Sequence, residues 1–81
     1  MFELLQEVLT ICVKITQGSK ADVFFEYSAH INKHGVHYYE NGWEDGVEPE
    51  WIAFVAPNNE VSLTHTRNRL LELAKKLEVE I

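Results

Sequence analysis

The sequence predicts an α+β fold, a two-layer sandwich in which two helices cover one face of a three-stranded antiparallel sheet. Three observations lead there. Apolar residues recur at helical spacing near both ends of the chain, residues 22–31 alternate in a strand-like manner, and turn-forming residues divide the middle at short intervals. The 81 residues contain no linker, repeat or low-complexity tract, which makes 1–81 one domain. At this length only roughly 60% of the unfolded surface is buried on folding, so stability amounts to a few kcal/mol.

The first element is a helix from Phe2 to about Thr16. Phe2, Leu5, Leu9, Cys12 and Thr16 keep the spacing of one helix face, and Leu4, Val8, Ile11 and Ile15 keep it on the adjoining face. The resulting stripe is wider than a single core contact requires, which points to a clamp from two sides or to contact with another subunit. Gly18 is the expected stop.

Asp22 to Ile31 reads as the first strand and Val36 to about Asn41 as the second. Asn32-Lys33-His34-Gly35 between them carries the residues of a type I turn. With Asn32 facing Gly35, the register sets Ile31 against Val36, His30 against His37, Ala29 against Tyr38 and Ser28 against Tyr39. Alternation then assigns Val23, Phe25, Tyr27, Ala29, Ile31, Val36 and Tyr38 to the face beneath the helices. Phe24, Glu26, Ser28, His30, His37 and Tyr39 take the other face.

Residues 42–50 hold two glycines, a proline and four carboxylates and read as a surface loop. Trp51 to Val55 is the third strand. Residues 61–63 are either a short extra strand or the entry to the last helix, which runs from about Thr66 to Leu77 and places Leu70, Ala74 and Leu77 on one face.

Composition narrows the function. Thirteen acidic against seven basic side chains give a formal charge of −6, which repels nucleic-acid phosphates and anionic membranes and suits a basic protein partner or plain solubility. The single cysteine, Cys12, forms no internal disulfide and belongs to the apolar side of the first helix, where a thiol is inert. The first fifteen residues include Glu3 and Glu7 and lack a basic start, so neither a signal peptide nor a membrane span is expected; a cytoplasmic location is.

A sheet with helices on one side leaves its other face open. Phe24 and Tyr39 lie there, joined by Trp43 and Trp51 if the neighbouring segments are suitably phased. Aromatic rings interleaved with polar groups are the composition of an interface core. Glu44, Asp45, Glu48 and Glu50 form an acidic run that would speed the approach of a basic partner. These eight residues are the expected partner-binding set. The expected function is a non-enzymatic accessory or inhibitory module, acting as a homodimer through the aromatic face and the acidic loop, with no cofactor.

Two rivals follow from other residues. His30, His37 and Glu26, on one face in this register, form an incomplete metal shell or acid–base group for a small enzyme. Arg67, Arg69, Lys75 and Lys76 make the last helix the one basic concentration, a possible nucleic-acid surface. The element order also resembles that of the double-stranded RNA-binding domain. That module opens its last helix with basic residues, and Pro57 to Leu63 holds none, which makes a nucleic-acid partner the weaker expectation.

Overall fold

The computed structural model describes residues 2–81. Helix α1 (Phe2–Gly18) is followed by strands β1 (Asp22–Ser28), β2 (Lys33–Tyr39) and β3 (Glu50–Pro57), then helix α2 (Glu60–Lys76). The strands form one antiparallel meander in the order β1-β2-β3. Helix α1 packs over β1, α2 over β3, and the helices pack against each other. The predicted α+β architecture is the one observed.

The core lies between the layers. Val8, Ile11, Cys12 and Ile15 from α1 meet Val36, Tyr38, Ile52 and Ala53 from the sheet and Leu63, Leu70, Leu73 and Ala74 from α2. Of the wide α1 stripe, Val8, Ile11, Cys12 and Ile15 are thereby clamped, while Leu9 and the neighbouring Val13 stay exposed. Burial pushes the Cys12 thiol up to about 12, so it stays protonated at neutral pH.

The hairpin departs from the predicted register. Phe24 pairs with His37, Phe25 with Val36 and Tyr27 with His34, so β2 is met six residues earlier along β1 than expected. The reversal spans residues 29–32 rather than 32–35, with Asn32 in the left-handed region at φ 53° and its N–H donating to the Ala29 carbonyl. His34 therefore belongs to a strand and is buried, while Ala29 and Ile31, expected under the helices, sit exposed in the turn, and Tyr27 at the strand end is exposed too. An even slip leaves each strand's faces unchanged. Val36 and Tyr38 lie under the helices and Phe24, His37 and Tyr39 on the open side.

A capping asparagine settles the status of residues 61–63. Asn59 Oδ1 accepts the Ser62 backbone N–H at 2.9 Å, which starts α2 at Glu60, six residues before the predicted start at Thr66. Residues 61–63 are helix rather than an extra strand, and Leu63 is a fully buried core residue on its second turn.

Candidate functional site

The open face of the sheet carries a row of rings that crosses all three strands. Phe24 of β1, His37 of β2 and Trp51 of β3 are direct cross-strand neighbours. Phe24 and His37 stack with centroids 4.9 Å apart, and His37 meets Trp51 at 4.6 Å in a tilted arrangement. Tyr39 closes one end, edge-on to Phe24 at 5.7 Å and to His37 at 5.9 Å. Phe54 extends the other end, 4.9 Å from Trp51.

Phe54 reaches this row because β3 is irregular. Strict alternation would put Trp51 and Phe54 on opposite faces, but the pairing shifts between His34 and Val36 and again between Val36 and His37. Ile52 and Ala53 consequently both point into the core, and Phe54 returns to the open side with Trp51. Val55 follows with φ 49°, a left-handed conformation that a β-branched residue adopts only under strain. Phe54 and Val55 were not among the expected site residues. The unalternating run Trp51-Ile52-Ala53-Phe54-Val55 was the sequence trace of the bulge.

His37 contributes the face of its ring rather than its nitrogens. Its Nδ1 is shielded from solvent with no hydrogen-bond partner, while both sides of the ring are engaged by Phe24 and Trp51. Beside the row, Glu26, Ile31, Lys33, Trp51 and Phe54 border a shallow groove of about 230 Å³. This is less than the 300–1,000 Å³ or so typical of small-molecule pockets.

The other expected residues are dispersed. The Trp43 backbone N–H donates to Asp22 Oδ2 at 2.7 Å; its side chain is exposed and outside the stacked row. Glu44, Asp45 and Glu48 are exposed and carry no ion pair among the described residues. Glu50 differs, because its Oε2 accepts the Tyr38 hydroxyl at 2.8 Å. Burial and then Glu50 push that phenol up to about 12.

The structure does not assemble the histidine group. His30 lies in the 29–32 turn, and the residue opposite His37 is Phe24, with Glu26 opposite Gly35. Among the described residues no three His, Cys, Asp or Glu side chains come together as a metal shell. The basic residues of α2 are likewise divided. Arg67 pairs with Glu7 of α1 at 3.0 Å, Arg69 donates to the Ile52 carbonyl at 2.8 Å, and Lys76 pairs with Glu40 at 2.8 Å.

The histidine whose nitrogens are used is His34. Its Nδ1 is 2.9 Å from Asn58 Oδ1 and its Nε2 is 2.9 Å from Thr66 Oγ1, joining β2 to the turn before α2 and to α2 itself. Burial holds this imidazole below its ordinary range, against the opposing pull of Asn58 and the Ala56 and Pro57 backbone. It is a structural tie.

Compared with known proteins, the chain matches no family model, no curated protein and no solved structure at a significant level. Among the described residues no helix is long and apolar enough to cross a membrane.

Proposed function

We propose that this chain is a non-enzymatic protein-interaction module that docks a partner on the open face of its sheet. The observation that carries the reading is the unbroken ring row Tyr39–Phe24–His37–Trp51–Phe54, spanning three strands on the side without helices. Rings packed against one another present a large contact area that loses little side-chain freedom on binding, and interface energy concentrates in such aromatic clusters. The groove beside the row carries both Glu26 and Lys33, which favours a partner offering mixed charge around an apolar centre. The unpaired carboxylates of Glu44, Asp45 and Glu48 supply long-range attraction for a basic partner.

The test is affinity capture from native lysate with wild type and a Trp51→Ala/Phe54→Ala variant side by side. A protein retained by the first and lost by the second, with both variants equally folded, supports the reading. Equal retention by both removes it.

A further inference from the structure

The two edges of the sheet are built differently. Edge strand β3 carries both bulges and the left-handed Val55, with prolines at positions 49 and 57, all features that discourage pairing with another chain. Edge strand β1 pairs with β2 in unbroken register over Asp22–Ser28 and contains neither proline nor glycine. The Val23 N–H donates to Thr16 Oγ1 of α1 at 3.0 Å, away from β2. By the alternation of an antiparallel ladder, the backbone groups of Phe25 and Tyr27 point the same way. No hydrogen bond meets them there among the described residues.

Exposed apolar side chains of α1 lie on this flank. Exposed Leu9 and Val13 border, with Val23 and Phe25, an apolar groove of about 260 Å³ between α1 and β1. Unsatisfied strand edge and exposed apolar helix side chains are thus adjacent, and a single partner surface can cover both.

We propose that the occupant is a second copy of this chain, β1 against β1, antiparallel about a two-fold axis at Phe25. This register gives the Phe25 N–H of each copy the Phe25 carbonyl of the other, and each Tyr27 N–H the opposing Val23 carbonyl. It sets Glu26 against Phe24 and Asp22 against Ser28, so carboxylates meet only diagonally, whereas an axis at Glu26 would set two directly opposite each other. The two α1 grooves close over the same axis and bury Leu9 and Val13. The result is a continuous six-stranded sheet with both ring rows on one side, and the homodimer expected from the sequence is thereby seated on the edge rather than on the aromatic face.

The experiment is sedimentation velocity across a concentration series, with amide exchange recorded at the extremes. The seven residues of β1 offer an edge of about 23 Å at roughly 3.3 Å per residue, so with the adjoining groove the contact is a small one and a weak monomer–dimer equilibrium in the micromolar range is expected. Exchange at Phe25 and Tyr27 slows as the dimer forms. Val13→Glu brings carboxylates together at the closed groove and weakens association about tenfold or more. Tyr27→Pro removes an outward donor while leaving the β1–β2 ladder intact, and weakens it likewise. Trp51→Ala leaves the dimer unchanged, so failure at this edge and failure at the aromatic face are read separately. A monomer at the highest concentration, or a dimer indifferent to both flank substitutions, overturns the proposal.

Discussion

The imidazole of His37 lies parallel to the ring of Phe24 on the adjacent strand, 4.9 Å between centroids and 4° between planes. Clamped from the other side by Trp51, whose ring is tilted by 44°, this histidine is the centre of the ring row. Trp51, and Phe54 packed beyond it, remain 44% and 63% exposed.

Truncating the rim of this row should therefore separate binding from stability. Phe54→Ala is expected to cost less than about 1 kcal/mol of folding free energy while reducing partner affinity more than about tenfold. Urea unfolding and titration of the captured partner measure the two. A large stability loss with affinity unchanged would assign Phe54 to the fold instead.

Acid should weaken the protein through His34. Its folded pKa lies below the unfolded value of 6.5, so below that pH the unfolded chain takes up more protons than the folded one. The stability contribution is complete above about 6.5 and declines as pH falls toward the depressed folded value. Denaturant midpoints compared across this range should drop in wild type and drop less in His34→Gln. That substitution itself costs about 2–3 kcal/mol at neutral pH, because Asn58 and Thr66 lose buried partners.

Tyr38 and the buried thiol of Cys12, both raised to about 12, share the alkaline limit. The Tyr38 phenol ionises at about 12 in the fold and near 10 when unfolded, so its contribution is complete below 10 and lost as pH climbs toward 12. Tyr38→Phe should make that part of the profile shallower while Cys12 keeps the rest, followed by far-ultraviolet circular dichroism against pH, and cost about 1 kcal/mol near neutrality through the lost bond to Glu50.

Val55→Gly should stabilise the chain. A left-handed φ of 49° strains a β-branched residue by about 1–3 kcal/mol, which glycine relieves at the expense of added freedom in the unfolded state. The net expectation is a gain of about 1 kcal/mol, or a rise of about 4–8 °C in Tm. A lower Tm would mean that the Val55 side chain contributes packing greater than its strain.

Much of this was legible in the residues. Period-two alternation assigned Phe24, His37 and Tyr39 to the open face, and that assignment survived because the register slipped by an even number. The slip itself was not legible. Asn32 and Gly35 both carry turn chemistry, and what decided between them was tertiary: His34 finds Asn58 and Thr66 only if it lies inside β2. Gly35 instead faces the bulged part of β3, where an added Cβ would lie 3.6 Å from Trp51. Phe54 escaped for the same reason, since a bulge depends on the partner strand. The early start of α2 has its trace in Asn59 and Glu60, a capping residue followed by an acid in the first turn, which the ambiguous Val61-Ser62-Leu63 masks.

Asn58 binds more than His34. Its backbone N–H donates to the Asn32 carbonyl at 3.1 Å and its side-chain amide to Asn32 Oδ1 at 3.3 Å. The β1–β2 reversal and the entry to α2, twenty-six positions apart in the chain, are thereby fastened into one knot with His34 at its centre. Neither can fray alone. Local opening at this end of the molecule must release both at once, and amide exchange there should show a single shared opening energy where two independent loops would show two.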